Sequence, residues 1–175
     1  MRQAKLANIN SEEFRNCIRY VASSVSVVAV SIDGEPQGML ATSICSVTTE
    51  PPTILASINR SASIHDQIAK DGRFCTSILS KTQLDAARTF SERDGSERFA
   101  DCKWDTLTTG APAIIGALSN IDTEVEAQIP VGTHTLFIGR VVALRGGSDV
   151  DDLGPLIYCD RTYGSVCKIP HPTVC

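Results

Sequence analysis

The sequence predicts a mainly β fold of the α+β kind, an antiparallel barrel or sandwich with helices on its outside. Two observations carry that expectation. Segments rich in β-branched residues follow one another with no helix between them, at 25–32, 37–48 and 53–58 and again at 117–129 and 135–144. Strands in such runs pair antiparallel rather than forming a doubly wound parallel sheet. In addition, no G-x-G-x-x-G follows a first strand, so a Rossmann nucleotide-binding unit is not expected.

In chain order, Ser11-Glu12-Glu13 has the pattern of a serine-capped helix start with acids in the first turn. Phe14, Cys17, Ile18 and Val21 then recur at helical spacing, to about Ala22. Val25–Ile32 reads as a strand, Asp33-Gly34-Glu35-Pro36 as a turn, and Gln37–Thr48 as a second strand that Glu50-Pro51-Pro52 breaks. Thr53–Ile58 is a third. Ser61–Lys70 reads as a short helix with Ile64 and Ile68 on one face, Arg73–Leu79 as a strand, and Lys81–Ser91 as a helix carrying Leu84, Ala87 and Phe90. The polar stretch from Glu92 to Gly110 reads as a surface excursion, followed by a short extended piece at Ala113–Ile115. Two long strands follow, joined by a turn around Pro130–Thr133, then a short apolar piece at Pro155–Tyr158 and a mobile end from Ile169 to Cys175.

The chain has 175 residues, 42% of them hydrophobic and 21% charged, which fits one globular domain, 1–165, with a C-terminal tail, 166–175. A net charge of -4 argues against a nucleic-acid partner. No apolar run reaches the roughly 18 residues needed to span a bilayer, and Met1–Asn10 lacks the apolar centre of a signal peptide, so a cytoplasmic protein is expected. Seven cysteines without C-x-x-C spacing suggest free thiols, and three histidines are too few for a histidine-rich metal site.

Two segments could carry chemistry. Thr42 to Thr49 lines small hydroxyl and thiol side chains along a strand, with Thr42, Ile44 and Ser46 facing one way and Ser43, Cys45 and Val47 the other. Such a strand can lie against a planar ring, although read alone it is first an ordinary sheet position tolerant of small polar residues. Asn59-Arg60-Ser61-Ala62-Ser63 follows a strand and opens a helix. Backbone N–H groups, two hydroxyls and a guanidinium converging there suit a phosphate, and equally a plain helix cap at Ser61. His65 reads as a ligand contact or as an exposed helix residue. His134, just after Gly132-Thr133, stands where a turn could present an imidazole to a pocket or leave it on the surface. Arg98, Arg161 and Tyr163 could pair an anion or cover a ring, and are also common surface residues. His171 lies between two prolines near the C-terminus.

Joined in order, these pieces carry a resemblance. Gly38-Met39, Ala41-Thr42-Ser43-Ile44-Cys45-Ser46-Val47-Thr48, Glu50-Pro51-Pro52 and Asn59-Arg60-Ser61-Ala62-Ser63-Ile64-His65 strongly resemble the short-chain flavin reductases, the reductase partners of two-component flavin monooxygenases. The likeness continues through Gly72-Arg73-Phe74-Cys75, Arg98-Phe99, Trp104, Gly110-Ala111-Pro112 and Gly132-Thr133-His134, covering roughly residues 12 to 165. It implies a Greek-key split β-barrel, usually a homodimer with flavin near the subunit interface. It implies FMN or FAD as flavin, NADH or NADPH as hydride donor, and a flavin-dependent monooxygenase as the acceptor of reduced flavin. By position, Thr42, Ser43, Cys45, Ser46 and Val47 would line the flavin ring. Asn59, Arg60, Ser61 and Ser63, with Arg98 as a further candidate, would hold ribityl and phosphate. His134 and Tyr163 would lie where nicotinamide stacks, with His134 positioning rather than transferring a proton. A same-fold enzyme whose tightly held flavin acts on an organic substrate, or a flavin-binding protein without turnover, is the alternative. Three positions depart from the family's frequent pattern: Leu40 stands for a threonine, Ser77 for an asparagine, and Thr133 for an aspartate beside His134.

Overall fold

The computed structural model describes residues 9–146 and 154–167. Most of the polar start, and the expected mobile end from Ile169 with His171, lie outside the described residues. The first element is α1 (Ser11–Ile18). Its cap is Asn10 rather than Ser11: Asn10 Oδ1 accepts from the N–H groups of Glu12 and Glu13, both at 2.9 Å, and Glu13 Oε2 accepts from the Asn10 N–H at 3.0 Å. Asn10 still has extended backbone, as a cap needs, and it has a Glu three residues on. The helix stops short of the expected Ala22, where the chain turns into β1 (Ser23–Ser24). None of its residues is buried.

β2 (Ser26–Ile32) and β3 (Glu35–Ala41) form a hairpin through Asp33-Gly34, both in left-handed backbone, with φ of 52° and 85°. This is the two-residue turn that Asp-Gly favours. Then come β4 (Ile44–Thr49), β5 (Pro52–Asn59), α2 (His65–Asp71) and β6 (Arg73–Ile78). A 3-10 turn at Lys81–Gln83 leads into α3 (Leu84–Glu92). β7 (Trp104–Thr106), β8 (Pro112–Ile114), β9 (Ser119–Val131), β10 (His134–Gly146), β11 (Leu156–Cys159) and β12 (Thr162–Ser165) complete the described elements.

The expected mainly β, antiparallel architecture with few helices is found. Seven strands run β3-β2-β6-β9-β10-β5-β4, beside a three-stranded sheet β1-β11-β12 and the pair β7-β8. The single strand expected over 37–48 is instead two, and they sit at opposite edges of the large sheet. Only Thr42 and Ser43 join them, so Ala41 and Ile44 are at most about 11 Å apart. In a flat seven-stranded sheet the same edges would stand about 29 Å apart. The sheet therefore curls until its two edges approach at this link, although no hydrogen-bonded ladder among the described residues closes it.

Curling creates an inside and an outside. The inside holds Val28, Val30, Ala41, Ile54, Ala56, Ile58, Phe74 and Phe137, capped by Ile64 and by Ile68 of α2. Against the outside of β2 pack Ala87 and Phe90 of α3, with Phe99, Ile114 and Leu156. β2 is buried on both faces, which explains its unbroken apolar run Val27–Val30. The stretch 92–110 is thus not only a surface excursion. It contains β7 and buries Phe99 edge-on against Phe90, ring centroids 4.9 Å apart. Each such fully buried phenylalanine contributes about 1.5–3 kcal/mol. No helix among the described residues is long and apolar enough to cross a membrane.

Two tests follow from this packing. Gly139 lies at a register shift between β9 and β10, where an added Cβ would collide with Thr123 Cγ2 and stand 2.8 Å from Glu124 O. Gly139→Ala should cost about 1–3 kcal/mol, read as a lower denaturant midpoint. Burial, and then the nearby Asp122 carboxylate, push the Cys75 thiol up to about 12. A raised thiol value contributes stability that is full below the unfolded value and drains as pH climbs from about 9 towards about 12. In the native protein at neutral pH, alkylation should mark exposed Cys17, Cys45 and Cys167 and spare Cys75 until the chain unfolds.

Candidate functional site

The register of four strands places four of the sequence-predicted residues, Ser43, Cys45, Asn59 and His134, on one surface. In an antiparallel ladder, directly paired residues share a face. His134 pairs with both Asn59 and Val131. Leu136 pairs with Ser57 and Ile129, and the Ser43 hydroxyl donates to Ser57 O at 2.8 Å while the Ser57 N–H donates to Ser43 O at 3.1 Å. Ile138 pairs with Leu55 and Ala127, and Leu55 pairs with Cys45. Three cross-strand rows thus lie on the outer face of β4-β5-β10-β9 and carry Ser43, Cys45, Asn59 and His134. The alternate residues Ile44, Ala56, Ile58, Thr135 and Phe137 point the other way, all but Ile44 buried. Ser57 and Asn59 are two residues apart, about 7 Å along the strand, so the start of β4 and the Asn59 turn are close neighbours.

The Asn59 turn is built differently from the expected helix start. α2 begins only at His65, and Ile64 precedes it without a side-chain cap bond. Ser61 is not a cap. Asn59 Oδ1 accepts from the Ser61 N–H at 2.9 Å and from the Ser61 hydroxyl at 3.0 Å. This side-chain turn competes with helix and delays it by one turn. The Arg60 N–H donates to Thr133 O at 2.9 Å, and one of its guanidinium nitrogens donates to Gly132 O at 2.7 Å. The Asn59–Ser63 turn is thereby locked to the turn that carries His134. Arg60, Ser61 and Ser63 are exposed, and the Ser61 hydroxyl hydrogen is already given to Asn59. His134 Nδ1 lies 2.9 Å from the Thr133 hydroxyl.

His65 is neither an exposed residue nor a surface ligand contact. It is buried, with Nε2 2.9 Å from Thr135 Oγ1, Nδ1 2.8 Å from Asp66 Oδ1, and its ring 5.5 Å from that of Phe137. It braces α2 against β10 beneath the Asn59 turn.

The five residues assigned by resemblance to the ring are divided by β4. Ser43 and Cys45 share the outer face, whereas Ser46 pairs with Ile54 on the other side, and a register shift follows at Val47. Thr42 borders three hollows. One, about 390 Å³, includes Ile44, Cys45 and Ser46. Another, about 240 Å³, is lined by Leu40, Tyr158 and Tyr163 among others. The third, about 360 Å³, runs from Thr42 and Ser43 to Ile18, Tyr158 and Arg161. Tyr163 packs edge-on against Tyr158, centroids 5.2 Å apart. No hydrogen bond joins it to His134 among the described residues. Arg98 is likewise apart from the Asn59 turn: Nε donates to Arg93 O at 2.6 Å and Nη1 to Gly38 O at 2.7 Å, bracing the chain before β7 against β3. A further hollow of about 420 Å³, lined by Asp33, Lys70, Asp71 and Arg73, involves none of the predicted residues.

Sequence reading missed Ser57, which bonds the start of β4 to β5, and Tyr158, which lines two of the hollows at Thr42. Tyr158 is the direct partner of Tyr163 in the neighbouring strand. Of the departing positions, Ser77 is buried, donating to Asn120 Oδ1 at 2.7 Å and accepting from the Ile114 N–H at 3.0 Å.

The chain is similar to known proteins over most of its length. The family described as flavin reductase like domain matches residues 18–166. The FMN reductase (NADH) RutF of Pseudomonas syringae pv. syringae is 35% identical over 159 residues, 90% of this chain and 88% of that protein. Among solved structures, the NADH:FAD oxidoreductase of Streptomyces globisporus superposes with a TM-score of 0.84 at 25% identity, covering 95% of this chain and all of that one. The styrene monooxygenase flavin reductase of Pseudomonas putida gives 0.75 at 29% identity, over 91% of this chain and 98% of that one. A sheet of the same shape, a family match across residues 18–166 and 35% identity to a curated relative together place this chain in the flavin reductase like domain family.

Proposed function

We propose that this chain is an NADH-dependent flavin reductase that reduces FMN or FAD and hands the reduced flavin to a flavin-dependent monooxygenase. The observation that carries the reading is the Ser43–Ser57 pair of hydrogen bonds, which sets the exposed start of β4 beside the Asn59–Ser63 turn. The flavin, when bound, supplies the redox chemistry, and the nicotinamide supplies the hydride. The donor set fits such a cofactor. β4 is a sheet edge, so its outward N–H and C=O groups have no ladder partner among the described residues and can meet the polar edge of a ring. The Arg60 guanidinium and the Ser63 hydroxyl are exposed donors for a phosphate, beside the Ser61 hydroxyl that Asn59 orients.

In this reading Ser43 and Cys45 face the ring from the outer surface of β4, Thr42, Ser46 and Val47 border it, and Asn59, Arg60, Ser61 and Ser63 hold ribityl and phosphate. His134, locked to the Asn59 turn through Arg60, orients the nicotinamide. Tyr163 stands across Thr42 and shields the ring from water. Arg98 acts as a brace for β3 rather than as a phosphate ligand. The architecture is a Greek-key split β-barrel in one domain, 1–165, supported by the two-residue link between the sheet edges. The active form is a homodimer. Val47, Ile129 and Val131 are 52%, 45% and 53% exposed, with Ile129 and Val131 beside the rows that carry Ser43 and His134. An apolar sheet face of this kind calls for a second copy. A cytoplasmic site of action fits free thiols and a reduced-flavin product.

Purified protein should consume NADH at a rate that rises with added FMN or FAD. No flavin-dependent consumption would overturn the reading. Asn59→Ala removes the acceptor for two Ser61 donors and should raise the flavin KM about tenfold, as loss of about 1.4 kcal/mol implies. His134→Ala should lower kcat/KM for NADH by a similar factor while leaving the flavin KM within about twofold.

A further inference from the structure

The hollow of about 420 Å³ lies at the far end of α2 from the Asn59 turn. Its volume is within the roughly 300–1,000 Å³ of ligand clefts. Three separate segments wall it. The β2–β3 turn contributes Asp33, the junction of α2 with β6 contributes Lys70, Asp71 and Arg73, and the loop before β8 contributes Thr109. The loop wall is fixed from behind. Asp122, fully buried on β9, accepts the Thr109 N–H at 2.7 Å and the Thr109 hydroxyl at 2.5 Å. A buried carboxylate is costly unless its oxygens are met. Here one residue meets both oxygens, so the burial of Asp122 is compensated only while Thr109 keeps its place at the hollow. From the front, Arg73 Nη1 donates to Thr109 O at 3.2 Å.

Two cations, Lys70 and Arg73, and two acids, Asp33 and Asp71, line this one hollow, and among the described residues none of the four forms an ion pair. Local demands hold them apart. Asp33 is set by its turn, with φ of 52°, Asp71 accepts from the Gln67 amide at 2.5 Å, and Arg73 is tied to Thr109. A bare anion on Lys70 and Arg73 would face two carboxylates, and a bare cation on the acids would face two cations. Like charges disfavour both. A small ligand that carries both signs a few bonds apart answers all four. We propose that this hollow binds a free α-amino acid, its carboxylate on Arg73 and Lys70 and its ammonium at Asp33 and Asp71. The planar guanidinium fork suits a carboxylate, and the acceptor-only aspartates suit an ammonium. This binding goes beyond flavin reduction and does not depend on it.

Calorimetric titration of the full chain with each common α-amino acid in turn tests it. At least one should bind, and its N-acetyl derivative and its amide, which each lack one of the two charges, should bind about tenfold more weakly or worse. Asp33→Asn removes one charge at a left-handed position that asparagine favours, so its thermal midpoint should not fall while affinity drops about tenfold. Arg73→Gln should weaken binding by a similar factor. Inorganic phosphate is the probe for a plain anion site. Absence of amino-acid binding, phosphate binding as tight as the amino acid's, or binding that either variant leaves unchanged overturns the proposal. FMN-dependent NADH consumption by Asp33→Asn should match the wild type. A fall in that rate with the thermal midpoint intact would merge the hollow with the flavin site and equally overturn the proposal.

Discussion

Two residues, Thr42 and Ser43, join the outermost strands of a seven-stranded sheet, and the rest of the structure follows from that covalent constraint. A span of at most about 11 Å cannot bridge a flat sheet of this width. The sheet must curl, and curling sorts its residues into an apolar interior capped by Ile64 and Ile68 and an exterior left for other work. The same link starts the edge strand β4 at the rim of three hollows that meet at Thr42. A position that closes the fold is thereby also the position where three hollows meet.

Register then does what sequence proximity cannot. Ser43, Asn59 and His134 come from three segments spread over some 90 residues of chain. They share a face because β4, β5 and β10 are neighbours with fixed pairing, and a slip of one residue would turn every one of them inward. The polar bonds that matter most are short-range locks on this frame: Ser43 to Ser57, Arg60 to Gly132 and Thr133, and Ser61 to Asn59. Each joins two turns or a turn to a strand, so the exposed donors of the turn are presented by a rigid base. Buried His65 adds a brace from beneath through Thr135.

Much of this was legible in the sequence, for identifiable reasons. Runs of β-branched residues marked β2, β5, β9 and β10 within a few residues, because half-buried or fully buried strands demand them. The motif around Asn59 marked the turn, since Asn, Ser and Arg are there for their side-chain bonds rather than for packing. What failed was whatever depended on long-range geometry. The stretch 37–48 reads as one strand because nothing local says that Thr42 and Ser43 cross between sheet edges. Ser61 reads as a cap because the competing Asn59 side chain gives the same local signature. His65 reads as exposed because burial beside Phe137 is decided by β10, some 70 residues later. Arg98 reads as an anion ligand because a guanidinium's commitment to backbone carbonyls leaves no trace in sequence.

The central claim is that the start of β4 and the Asn59–Ser63 turn form one cradle. Amide hydrogen exchange with and without saturating FMN tests it most directly. The account predicts that flavin slows exchange together at residues 42–47 and 59–63, with little change around Asp33, Lys70 and Gly110. Protection confined to that second region, or present in only one wall of the cradle, would contradict it.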